Sequence, residues 1–80
     1  MSLRGYSFRL VMANRDADSN KVGVRLGRYC IEHDIPVNEI AEKFDVSRMT
    51  IYSWFTGAAE PHRLTAEKIQ ELLKKARFSV

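Results

Sequence analysis

Two short segments, separated by three residues, each carry apolar residues at helical spacing. Together they form the clearest pattern in this chain. Their apolar positions are Ile40, Ala41 and Phe44 in the first and Ile51, Trp54 and Phe55 in the second. Each set recurs at the interval of one face of an amphipathic helix. Only Asp45, Val46 and Ser47 lie between them, which leaves room for a sharp turn and nothing longer. The pattern predicts a helix-turn-helix over residues 37–56, a motif whose second helix can enter the DNA major groove.

The same spacing predicts a helix on each side of this pair. The stripe of the earlier helix, over about residues 21–33, consists of Val22, Leu26, Tyr29 and Cys30. Within it Gly23 and Gly27 lie four residues apart, which favours close packing against a neighbouring helix despite the cost of glycine to helix stability. The stripe of the later helix, which Thr65 is expected to cap, consists of Ile69, Leu72, Leu73 and Ala76. Within the pair, Ser47 is placed to cap the second helix, which is expected to end near Thr56 with Gly57 as its stop.

The N-terminal segment has a different period. Its apolar residues alternate with others, as Tyr6, Phe8, Leu10 and Met12. This alternation predicts a short β-strand, followed by a polar linker over residues 14–20. The strand is expected to pair with its copy in a second protomer or with residues 77–80; the alternative is a basic arm that places Arg4 and Arg9 in a minor groove. The predicted organisation is an arm or strand with linker over residues 1–20, a DNA-binding domain over 21–77 and a tail over 78–80.

Composition narrows the class of protein. Eighty residues, 45% hydrophobic and 29% charged, are expected to make one small globular domain. Without a long apolar run or a signal peptide, the chain is expected to be cytoplasmic and to have no membrane partner. Cys30, His33 and His62 are too scattered to favour a metal site, and Glu39 and Glu42 have no accompanying nucleophile. Neither an enzyme nor a cofactor is therefore expected.

Charge adds a second constraint. The net charge is +3, and the basic residues concentrate in residues 1–31 and 61–80, whereas residues 32–60 are acidic on balance. Basic flanks suit a phosphate backbone. The acidic centre argues against a binder that relies on charge alone.

The order of core residues, turn and final glycine extends over about residues 22–73. The residues that carry it are Leu26, Tyr29, Ile35, Ile40, Ala41, Phe44, Val46, Ile51, Trp54, Phe55, Thr56, Gly57 and Pro61. This order resembles the phage Cro and repressor family, the lambda-repressor-like helix-turn-helix fold. The resemblance implies a mainly α, four-helix domain, here with a short N-terminal β-strand or arm. Two positions depart: Asp45 stands where the family usually has glycine, and Val37 where it often has a phosphate-binding glutamine.

A helical wheel separates the residues of the second helix that can reach DNA from those of its core. Met49, Tyr52, Ser53 and Thr56 point away from the core direction, whereas Trp54 lies within it. Arg48 suits a bidentate bond to guanine and Met49 a thymine methyl group. The resemblance places residues 47–49, 52 and 53 at the DNA-facing positions of the family. The predicted DNA-binding residues are Asn38, Ser47, Arg48, Met49, Thr50, Tyr52, Ser53, Thr56 and Arg63.

Two functions are compatible with this pattern. The first is a sequence-specific regulator of transcription, of phage or bacterial type, that binds double-stranded DNA as a homodimer on a two-fold operator. The second is a protein-interaction module or adaptor on the same fold. The acidic side chains of Glu39, Glu42 and Asp45 favour the second, and the resemblance implies RNA polymerase or another transcription factor as their partner.

Overall fold

Five helices make up the structure, a computed structural model that describes residues 6–78. They are α1 (Phe8–Asp16), α2 (Val22–Glu32), α3 (Val37–Phe44), α4 (Arg48–Thr56) and α5 (Arg63–Phe78). No strand occurs within the described residues. The mainly helical class is therefore confirmed, and the ranges predicted for α2, α3 and α4 agree with the observed bounds to within one residue.

Local backbone chemistry fixes the ends of α3 and α4. Asp45 ends α3 in the left-handed conformation, at φ 56°, which an aspartate tolerates better than most residues. The Ser47 side chain accepts a hydrogen bond from the backbone N–H of Thr50 at 3.2 Å and so caps α4. Gly57 ends α4 at φ 80°. The predicted cap at Ser47, the sharp turn after α3 and the terminating Gly57 are confirmed.

The N-terminal segment is a helix, and the predicted β-strand over Tyr6 to Met12 is wrong. Ser7 caps α1 by accepting from the backbone N–H of Leu10 at 3.1 Å. Leu10 and Val11 pack on the core and Asn14 is buried, whereas Phe8 is 68% exposed. A helix satisfies its own backbone groups, whereas a lone strand needs a partner. The predicted linker also begins too early, since residues 14–16 belong to α1. Of the residues named in the predictions for this segment, Arg4 and the last two residues of the chain lie outside the described residues.

The last helix begins earlier than predicted. Thr65 lies within α5, which starts at Arg63. His62 directly precedes α5. Its carbonyl accepts a hydrogen bond from the backbone N–H of Ala66 at 2.7 Å, and its Nδ1 accepts one from the backbone N–H of Leu64 at 3.5 Å. His62 thus takes the capping position that the sequence suggested for Thr65.

The core is centred on α2, which packs against α1, α4 and α5. The largest fully buried side chains are Phe55, Leu26, Ile51, Ile69, Val24 and Cys30. A Cβ atom at Gly23 would lie 2.8 Å from Trp54 Cβ, and one at Gly27 would lie 2.9 Å from Phe55 Cγ. The close helix packing predicted from the two glycines is confirmed, and it sets the position of α4.

Among the helices of residues 6–78, none has both the length and the apolar character needed to cross a membrane.

Candidate nucleic-acid interface

The two sides of α4 differ sharply in exposure. Ile51 and Phe55 are fully buried and Trp54 is 4% exposed, so the core assignment of the tryptophan is confirmed. On the other side Arg48 is exposed and Met49 is 75% exposed. A large apolar side chain left in solvent beside an arginine is a combination that packing does not require. The outer side of α4 is therefore the candidate site.

The first turn of α4 is organised by its own hydroxyl groups. Ser47 Oγ lies 3.1 Å from Thr50 Oγ1 in a hydrogen bond and also receives the Thr50 backbone N–H. This turn contains no acidic residue, and Arg48 is its first residue. The positive end of the helix dipole and the guanidinium group therefore lie together, which favours an anion such as a DNA phosphate.

The far half of α4 is more constrained than a helical wheel indicates. Tyr52 is half-buried and packs against the core. Thr56 Oγ1 donates to the backbone carbonyls of Tyr52 at 3.0 Å and Ser53 at 3.4 Å. Because its proton is used within the helix, the Thr56 hydroxyl is left to act as an acceptor. Ser53 is partly exposed and makes no side-chain hydrogen bond with any described residue.

The predicted set divides by position. Seven of its members lie on the cap and helix of residues 47–56, whereas Asn38 lies in the first turn of α3 and Arg63 begins α5. Both are exposed. Arg63 Nε lies 4.0 Å from Glu67 Oε2, and both side chains are largely in solvent, so this ion pair holds the arginine only weakly. Seven predicted residues thus belong to one helix and its cap, whereas Asn38 and Arg63 belong to α3 and α5.

An acidic surface lies on the neighbouring helix. Glu39 and Glu42 are exposed on α3, and the exposed Asp45 ends that helix. Burial, assisted by the Glu39 carboxylate, raises the pKa of the Cys30 thiol to about 12. The thiol is therefore neutral at physiological pH and belongs to the core, whereas the carboxylates face solvent.

Two residues that hold the C-terminal end of α4 were not among the predicted site residues. Asn14 is 2% exposed, and its Nδ2 donates to the carbonyls of Val24 at 3.1 Å and Phe55 at 2.6 Å. Lys21 Nζ donates to the Gly57 carbonyl at 3.0 Å. Carbonyls at a helix end need such partners. One signal was available: Asn14 follows Leu10 by four residues and would share its face on a helix.

No model of a protein family, no curated protein and no solved structure matches this chain. The functional assignment therefore depends on the residues and their arrangement.

Proposed function

We propose that α3 and α4 act as a helix-turn-helix, in the manner of the Cro and repressor proteins, and that the chain is a sequence-specific, double-stranded DNA-binding regulator of transcription. The observation that carries the proposal is the outer side of α4, where Arg48 and the 75%-exposed Met49 face solvent opposite a fully buried side. With its side chains an α-helix is about 10–12 Å in diameter. That diameter suits a major groove about 12 Å wide.

Each exposed residue of α4 has a distinct role in this proposal. Arg48 makes no hydrogen bond or ion pair with the described residues, so its guanidinium is available for a bidentate bond to guanine O6 and N7. Met49 contacts a thymine methyl group. Ser53 bonds to a base edge or a phosphate, and Ser47 with Thr50 presents the first turn to the backbone.

A homodimer on a two-fold site completes the proposal. The protomer measures 32 × 29 × 24 Å along its principal axes. Half-sites one helical turn apart are separated by about 34 Å. Two protomers of this size fit side by side on one face of the duplex.

Selection from a pool of random duplexes, with the full chain, tests the proposal. We expect a preferred site, against which Arg48→Ala loses about 1–3 kcal/mol of binding free energy and relaxes preference at one base pair. Arg25→Ala, at an exposed position of α2, is the matched control and should preserve the preference. Absence of duplex binding at low salt, or an unchanged preference in folded Arg48→Ala, would contradict the proposal.

A second function is favoured by the exposed carboxylates of Glu39, Glu42 and Asp45. In this alternative the chain is an adaptor that binds RNA polymerase or another transcription factor through α3. Charge reversal in Glu39→Lys with Glu42→Lys should then abolish binding to purified polymerase and leave duplex affinity no weaker. Loss of duplex binding without loss of polymerase binding would contradict the adaptor function.

A further inference from the structure

A groove runs between α1 and α4, beside the candidate interface. Its lining residues are Ser7, Arg9, Leu10, Ala13, Tyr52 and Thr56. The last two belong to the predicted DNA-binding set, so the groove continues the outer side of α4 onto α1. Nothing in the proposed function assigns a role to this helix.

Buried contacts fix α1 beside α4. The Asn14 amide bonds to one carbonyl of α2 and one of α4. At the other end the Tyr6 hydroxyl donates to the Ile35 carbonyl, and the Tyr6 ring lies 6.1 Å from that of Phe55. The groove is therefore held in one shape by the core and needs no rearrangement to receive a ligand.

The groove wall combines one cation, hydroxyl groups and a small apolar surface. Arg9 is exposed and forms no hydrogen bond or ion pair within residues 6–78. The first turn of α1 contains no acidic residue, and its cap is a serine. Leu10 and Ala13 supply the apolar part. A deoxyribose has an apolar face, and its phosphate needs a cation and hydrogen-bond donors. Arg9 supplies the cation and the hydroxyl groups of Ser7 and Tyr52 supply donors, so the lining matches a sugar–phosphate backbone.

We propose that α1 is a second DNA-contacting element: the groove receives the backbone of the strand that borders the major groove entered by α4, with Arg9 on a phosphate. The inference depends on the proposed function and extends it, because it adds contacts that carry affinity without reading sequence. A phosphate contact of this kind raises the salt dependence of binding by a predictable amount.

The test compares two arginines of the same helix. Arg9→Ala and Arg15→Ala each remove one positive charge, but Arg15 does not line the groove. Binding to the selected duplex and to unrelated duplexes is measured over a series of salt concentrations, and thermal melting verifies folding. Arg9→Ala should weaken binding several-fold on every duplex and make the negative slope of log K against log salt concentration shallower by about 0.9. Arg9→Lys should restore most of that slope, whereas Ala13→Glu should weaken binding by placing a carboxylate against the backbone.

Three results would overturn the inference. If Arg9→Ala matches Arg15→Ala while Arg48→Ala still loses base preference, α1 is no DNA-contacting element and the proposed function stands. If Arg9→Ala changes preference at one base pair, Arg9 reads a base instead of holding a phosphate. If the unaltered chain binds no duplex at low salt, the inference and the proposed function both fail.

Discussion

On its inner side α4 meets α2 so closely that no side chain fits at Gly23 or Gly27, whereas on its outer side Met49 is 75% exposed. The inner contacts also include the buried Asn14 amide, whose carbonyl partners lie on α2 and α4. The outer residues Arg48 and Ser53 make no side-chain hydrogen bond with any described residue.

This difference separates two kinds of substitution. Inner residues are needed for folding, because a substitution at any of them removes a packed or hydrogen-bonded group. Outer residues are not needed for folding, so their chemistry is available for a ligand. If the comparison is right, the free energy of unfolding and the affinity for DNA respond to different sides of one nine-residue helix.

The largest effect is expected from Trp54→Ala. The indole is buried, packs edge-on against Phe44 at a ring-centroid distance of 6.3 Å and covers Gly23. Truncating such a core aromatic costs about 3–5 kcal/mol, a large share of the total for a small domain. Urea denaturation followed by circular dichroism measures the loss, and Trp54→Phe should recover part of it. A folded Trp54→Ala with an unchanged midpoint and lost DNA binding would reverse the assignment of the two sides.

Asn14→Ala should come next. It leaves the Phe55 carbonyl, at the end of α4, without its donor in a buried place. An unsatisfied buried group costs about 1–3 kcal/mol. Asn20→Ala, at an exposed asparagine whose side chain makes no hydrogen bond with any described residue, is the control. Equal stability of the two variants would show that the amide does not hold α4.

Gly23→Ala should destabilise the fold by a smaller margin. The added methyl group would lie 2.8 Å from both the Trp54 Cβ and the Trp54 carbonyl oxygen, which cannot rotate away. Overpacking costs about 1–3 kcal/mol, and the better helix propensity of alanine offsets about 1 kcal/mol. A net loss of about 1 kcal/mol is expected, against no loss in Arg25→Ala on the same helix. A stabilised Gly23→Ala would mean that α2 and α4 can separate without cost.

Ionisation of the Cys30 thiol is expected to change the free energy of unfolding by a smaller amount, and only at alkaline pH. Its pKa is raised to about 12 in the folded chain by burial, so the unfolded chain loses the proton first. The folded state then binds more protons, and stability falls as pH rises from about 9 towards 12. The slope from this group is at most about 1.4 kcal/mol per pH unit. Urea titrations between pH 8 and 10 measure the slope of the free energy of unfolding with pH. Cys30→Ala should have a shallower slope than the unaltered chain. Identical slopes would mean that the thiol ionises equally in the folded and unfolded states.

The smallest effect on stability is expected from Met49→Ala. An exposed side chain away from packed contacts changes the free energy of unfolding by less than about 0.5 kcal/mol. Affinity for the selected duplex should fall, with the loss confined to sites that carry a thymine methyl at the contacted position. Thermal melting and duplex titration together give both values. A drop in stability above about 1 kcal/mol would place Met49 in the packed side.

Much of the fold could be predicted because the signals concerned are local. Apolar spacing predicted α2, α3 and α4, and the cap at Ser47, the left-handed Asp45 and the terminating Gly57 depend on residues within one turn. The candidate surface of α4 follows from the same spacing. Its half-buried Tyr52 and back-bonded Thr56 do not, because neighbouring elements and the helix backbone determine how far each side chain reaches.

The sequence by itself determined the helix pair, the turn between them and the inward direction of Trp54, since periodicity and capping operate over a few residues. Only the tertiary structure decided the N-terminal segment. Alternating apolar residues fit a strand as well as a helix until a partner surface is known, and the core of α2 and α4 supplies that surface to Leu10 and Val11. Burial of Asn14 likewise becomes favourable only where the carbonyls of Val24 and Phe55, distant in the chain, lie within reach of one amide.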